Sequence, residues 1–120
     1  MAEHNETGNI GEQLAEKYLR SLGYEILERN WRSGKNEIDI IAKDGQFLVI
    51  AEVKTRKSNY FGEPEEFVNR AKQHALISAA NNYIVKKNLD LEARFDIISV
   101  IFTGNSYTVK QIKDAFYPLV

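Results

Sequence analysis

The chain has 120 residues, 43% of them hydrophobic, which suits one domain with its own core over residues 1–120 and gives no compositional sign of disorder or repeats. A net charge of −1 and a pI near 6.1 argue against coating nucleic acid through an overall positive field, and the absence of cysteine excludes disulfides and thiolate metal sites. No apolar run approaches the roughly 20 residues of a membrane helix and no signal peptide opens the chain, so a cytoplasmic protein without a membrane role is expected.

The first nine residues are polar and are expected to be flexible and frayed. Ile10, Leu14, Tyr18 and Leu22, with Ala15 and Leu19 beside them, then recur at helical spacing up to Gly23, which predicts an amphipathic helix and its stop. Tyr24 to Trp31 alternates Tyr24, Ile26 and Glu28 against Glu25, Leu27 and Arg29, as a first strand does, and a loop around Ser33-Gly34 follows. Glu37 to Lys43 and Gln46 to Arg56 are two further strands, apolar on both faces in the middle and therefore central to a sheet. Joined by a two-residue turn at Asp44-Gly45, they form a hairpin in which Lys43 pairs with Gln46, Asp39 with Ile50 and Glu37 with Glu52. Alternation points Glu37, Asp39, Ile50, Glu52 and Lys54 to one face, and Ile38, Ile40, Val49, Ala51 and Val53 to the other.

Lys57 to Pro64 is a loop carrying Tyr60, Phe61 and Gly62. Glu65 to about Lys87 reads as one long helix, with acids at its start, lysines at its end and Pro64 near its first turn. Arg94 to Phe102 is a strand, Thr103 to Ser106 a turn, Tyr107 to Val109 a short returning strand, and the tail through Phe116 a last helical turn. The order α-β-β-β-α-β-β predicts an α/β fold, a mixed central β-sheet flanked by helices.

The acidic end of the hairpin carries the chemistry. Hard divalent cations take carboxylate, carbonyl, water and phosphate oxygens, which Asp39 and Glu52 on neighbouring strands, and Val53 through its backbone carbonyl, can supply. Lys54, on the same face, is placed to orient a water or hold a phosphate. An acid-x-Lys triplet is weak evidence by itself; its setting opposite acids on a hairpin partner gives it weight. Like charges across a sheet cost on the order of 0.2–1 kcal/mol per pair, so something should compensate. Lys54 and Arg56 would do so in an ordinary solvated patch, and a bound cation is the sharper explanation.

Glu12, early in the first helix, is either a further site residue or a capping-box glutamate three residues after Asn9. Arg32, Arg56, Lys57 and Lys72 offer a local basic rim for nucleic acid in spite of the net charge. The Tyr60-Phe61 loop could stack on an unpaired base, although packing of Phe61 against the second helix is the simpler use. Asp96 reads as a structural ion-pair partner of Arg94 or Arg32, and neither His4 nor His74 has neighbours at ligand spacing.

Gly11-Glu12, Ala15, Tyr18-Leu19, Gly23-Tyr24, Asn30-Trp31-Arg32, Glu37-Ile38-Asp39, Glu52-Val53-Lys54, Phe61-Gly62 and Arg94-Phe95-Asp96 together resemble the YraN-like family of small bacterial proteins, over nearly the whole chain. That family is similar to the restriction-endonuclease-like superfamily and to archaeal Holliday-junction resolvases, whose sites carry a helix glutamate, a strand aspartate and a Glu-x-Lys triplet. The resemblance maps these onto Glu12, Asp39, Glu52 and Lys54. It implies a restriction-endonuclease-like fold, Mg²⁺ or Mn²⁺ as cofactor, and a nuclease hydrolysing phosphodiester bonds in DNA in preference to RNA, with branched or structured DNA among the candidate substrates. A homodimer fits by analogy with enzymes of two-fold symmetric junctions. Gln73 is similar to polar helix residues that assist related sites, and Asn36, where a glycine is common, leaves the site intact. Two other roles suit the same residues: a nucleic-acid-binding module that does not cut, and a protein-interaction domain using the acids as an ion-pair patch.

Overall fold

In the computed structural model, which describes residues 2–62 and 67–117, a glycine opens the loop of each hairpin and sets its register. Gly45 has φ of +60° and Gln46 has no positive φ, the pattern of a type II′ turn, whose twist matches that of the strands it joins. Gly34 and Gly104 repeat it in the other two hairpins. The loop is therefore Gly45-Gln46, and Asp44 pairs with Phe47, Ala42 with Val49 and Ile40 with Ala51. This register is two residues away from the one expected with Asp44-Gly45 in the loop. A slip of two keeps each residue on its face, but it brings Asp39 in line with Glu52 in place of Ile50.

The elements are α1 (Ala2–Ser21), β1 (Glu25–Ser33), β2 (Asn36–Asp44), β3 (Phe47–Lys57), α2 (Arg70–Lys87), β4 (Glu92–Thr103) and β5 (Ser106–Phe116). The strands form one mixed sheet in the order β1-β2-β3-β4-β5, with β3 and β4 parallel and the other neighbours antiparallel. The expected α-β-β-β-α-β-β order holds. Ala15 and Leu19 of α1 pack on Ile40, Ala42, Val49, Ala51, Ile98 and Val100, while Leu76, Ala79, Ala80 and Tyr83 of α2 pack on the opposite face with Ile41, Leu48, Ile50, Phe95 and Ile97. Two covering layers explain why the central strands are apolar on both faces. No described helix is long and apolar enough to cross a membrane.

Several expectations change. Helix α1 begins at Ala2, because a polar stretch without proline can extend a helix already anchored by the stripe from Ile10 onward. Glu12 is thus well inside the helix, and its capping role falls away. Helix α2 starts at Arg70, where Asn69 caps it by accepting from the Lys72 N–H at 2.8 Å; Pro64 and Glu65, expected near its start, lie outside the described residues. Strand β5 runs to Phe116 with no helical turn, past a bulge at which Asp114 takes φ of +53° and its N–H donates to Asp96 Oδ1 at 3.1 Å. Asp96 pairs with Arg94, not Arg32, through bonds of 3.0 and 2.9 Å, and Arg94 also reaches Asp44 and Tyr24. That buried network ties β4 to the β2–β3 turn and to the bulge of β5.

Alternation breaks in β1, where a register shift between Ile26 and Glu28 turns both Leu27 and Glu28 toward α2 while Ile26 and Arg29 face α1, and it breaks again in β2. Ile38 packs on the α2 side and Ile40 on the α1 side, although they are two residues apart and were expected to share a face. The β1–β2 ladder passes from the Arg29–Ile40 pair to the Trp31–Ile38 pair and skips Asn30 and Asp39. Asn30 takes φ of +53°, a conformation asparagine tolerates better than most side chains. Asp39 is at the face switch.

Candidate metal centre

The last β2–β3 pair is Ile40 with Ala51, while β3 stays paired with β4 through Lys57. Beyond that pair, the Val53 N–H donates to a side chain of β2, Asp39 Oδ2, at 2.9 Å. This bond holds the Asp39 carboxyl beside Glu52. Burial chiefly, and then the Glu52 charge, push the Asp39 carboxyl up to about 8; Glu12 adds to the rise and the Val53 hydrogen bond opposes it. Glu52 Oε2 is 3.5 Å from Lys72 Nζ, whereas Oε1 is buried and accepts no hydrogen bond. A carboxylate oxygen removed from water without a donor is costly, and either a proton shared with Asp39 or a cation would satisfy it.

Glu12 reaches this neighbourhood because α1 lies tight on β3. Gly11, Ala15 and Leu19 form its buried stripe, and a Cβ on Gly11 would overlap the Thr55 hydroxyl and lie 3.0 Å from Thr55 Cβ. Arg29 of β1 joins the helix from below, 3.3 Å from Glu12 and 2.5 Å from Glu16. Burial, the largest effect, raises Glu16, but hydrogen bonds from Arg29 and Arg20, together with their charges, outweigh it and keep Glu16 below the usual carboxylate range. Thr55 and Arg29 were not singled out by motif; Gly11 stands in the family pattern beside Glu12, and its place one helical turn before Ala15 sets it on the buried stripe.

The remaining candidates are spread along the same end of the sheet. Lys54 shares a face with Glu52, but its ammonium donates to the Phe67 backbone carbonyl and lies 5.8 Å from the Phe67 ring centre. Lys72, expected on the nucleic-acid rim, is the ion-pair partner of Glu52. Arg32 is mostly exposed and pairs with Glu37 at 3.2 Å, so Glu37 is opposite Arg32 and not Glu52. The Arg56 guanidinium is 5.8 Å from the Tyr60 ring centre, and Lys57 is exposed at the end of β3. Gln73 bonds the Val68 carbonyl at 2.8 Å. Phe61 does not pack on α2; it is 96% exposed.

Among the described residues, no three His, Asp or Glu side chains converge in ligand geometry. Two carboxylates completed by water and phosphate are a common arrangement for Mg²⁺, so Asp39 and the donor-free oxygen of Glu52 fit a hard divalent cation.

Comparison with known proteins adds a family. The profile of the uncharacterised protein family UPF0102 matches residues 11–100. The chain is 50% identical over 117 residues to a UPF0102 protein of Flavobacterium psychrophilum and equally to one of Christiangramia forsetii, covering 98% of each chain in both cases. A UPF0102 protein of Clostridium tetani is 47% identical over 116 residues, covering 94% of this chain and 95% of its own.

Two outcomes follow from this geometry. Asp39 keeps its proton to about pH 8 when folded and titrates near 3.8 when free, so between these values the folded chain binds the extra proton and stability falls as pH rises. In chelator, melting temperature should decline from pH 5 to pH 8 in the wild type; Asp39→Asn should flatten that decline and melt higher at pH 8, and parallel profiles would contradict the assignment. Gly11→Ala should cost about 1–3 kcal/mol in urea denaturation, as overpacking does, and Thr55→Ala should recover part of it.

Proposed function

The chain belongs to the uncharacterised protein family UPF0102, and we propose that it is a restriction-endonuclease-like, divalent-metal-dependent nuclease that hydrolyses phosphodiester bonds in DNA, branched or otherwise structured DNA included. The observation that carries this reading is the Asp39–Glu52 pair: one carboxyl kept protonated by burial and its neighbour, the other with a buried oxygen lacking a donor. Asp39, Glu52 and the Val53 carbonyl would hold Mg²⁺ or Mn²⁺, which when bound supplies positive charge against the scissile phosphate and acidifies water.

The chain's own groups do the rest. The Val53 N–H fixes one Asp39 oxygen and so holds the carboxyl beside Glu52. Lys54, on the Glu52 face, exchanges its carbonyl partner for a phosphate oxygen or the attacking water. Glu12 adds a third carboxylate from α1 to the field around Asp39. Arg32, Arg56 and Lys57 contact phosphates away from the cleaved bond, and Lys72, paired with Glu52, contacts one beside it.

One contact favours a second reading. Lys72 already answers Glu52, and if a lysine is the lasting counter-charge, the domain binds nucleic acid without cutting it. A cleavage screen over single-stranded, duplex, forked and four-way-junction DNA in Mn²⁺ separates the two. The nuclease reading expects cleavage of at least one substrate, abolished by chelator, by Asp39→Asn and by Glu52→Gln, and lowered about 10²- to 10³-fold by Lys54→Ala, the scale of losing one electrostatic stabiliser. Tight binding of the same DNA with no cleavage of any of it would leave the second reading.

A further inference from the structure

We propose that Phe61 is a base-stacking residue and that the strand bound by this protein presents an exposed nucleobase to it. This rests on reading the chain as a nucleic-acid-binding protein and names the kind of strand it takes. The phenyl ring is 96% exposed, the most exposed of the large hydrophobic side chains among the described residues. The loop beneath it is built. Ser58 N–H donates to the Phe102 carbonyl at 2.8 Å and Tyr60 N–H to the Lys57 carbonyl at 3.0 Å. The Tyr60 ring has the Arg56 guanidinium on one flank, and Gly62 folds against it so closely that a Cβ there would overlap the ring. With Tyr60 held in this way, its neighbour Phe61 stands outward at the tip.

Charge and chemistry select the occupant. Glu52, Lys54 and Arg56 alternate on one face of β3 at intervals of about 7 Å, and exposed Lys57 follows, so a row of cations leads from the acid pair to the aromatic loop. Cations that follow a phosphate backbone, ending in an aromatic on which a base can stack, are the standard means of holding unpaired strands. A fully paired duplex hides its base faces from such a ring. Beside Phe61 an apolar protein partner would find the Tyr60 ring, already flanked by Arg56, and then the polar Lys57, Ser58 and Asn59.

The test is fluorescence anisotropy in chelator with the full chain, using a labelled single strand, a fork and a blunt, fully paired duplex of equal length. Phe61→Ala should weaken single strand and fork by about fivefold or more, the lower end of base–aromatic stacking; duplex affinity and melting temperature should not change, and Phe61→Trp should retain wild-type binding. A 2-aminopurine in the single strand should be quenched by the wild type and not by Phe61→Ala. Equal loss on all three DNAs, no loss on any, or no binding by the wild type would overturn the proposal. So would a shift from dimer to monomer in Phe61→Ala by sedimentation, which would give the ring to a second copy of the chain. Mn²⁺ titration of the same variant reports separately on the metal centre, which can stand if Phe61 fails.

Discussion

The arrangement depends on two acids held together where they are unfavourable. Removing a carboxylate from water costs several kcal/mol even after relaxation, and a hydrogen bond to a charged group returns roughly 1.5–3 kcal/mol. The Val53 N–H gives Asp39 one such bond, and Lys72 gives Glu52 an ion pair stretched to 3.5 Å. Neither contact closes the deficit, and the protein answers by keeping a proton on Asp39. On the proposed reading, a cation would take the place of that proton.

The rest of the fold delivers these groups. Gly45 takes the first loop position and puts Asp39 in line with Glu52. Asn30, in a left-handed conformation, marks the step at which the β1–β2 ladder releases Asp39 from regular alternation. Parallel pairing with β4 keeps Glu52, Val53 and Lys54 in a straight strand after β2 has let go. Gly11 allows α1 close enough for Glu12 to act on Asp39, while α2 presents Lys72 from the other face. Tight turns, one irregular residue and one close helix contact thus bear on a handful of atoms.

Much of this was legible in the sequence, for reasons that can be named. Hydrophobic spacing gave the order of elements and the doubly covered central strands, because burial on both faces leaves a direct mark on composition. Asp39 and Glu52 emerged as neighbours even though the register was off by two, since a slip of two leaves faces unchanged. Ile38 was placed on the wrong face because alternation cannot foresee an asparagine in a left-handed conformation. The start of α2 was misread because Pro64 and the acids beside it look like a helix opening, whereas Asn69 makes the cap. Lys72 as the partner of Glu52 and Arg29 as the tie between β1 and α1 are tertiary facts with no local period to announce them, and Gly11, although on the helical stripe, gives no sign that Thr55 is what it meets. For Phe61, packing on the second helix looks simpler than stacking on a base from sequence, and its exposure follows from how the Tyr60 ring is held.

The central claim is that Asp39 and Glu52 form a metal centre that exchanges a proton for a cation. Calorimetric titration of Mn²⁺ at neutral pH, carried to millimolar concentration in two buffers of different ionisation enthalpy, measures binding and proton release together. The account predicts saturable binding by the wild type with release of about one proton per ion, and loss of both in Asp39→Asn. Absence of binding by the wild type, or binding that Asp39→Asn leaves intact and that releases no proton, would contradict it.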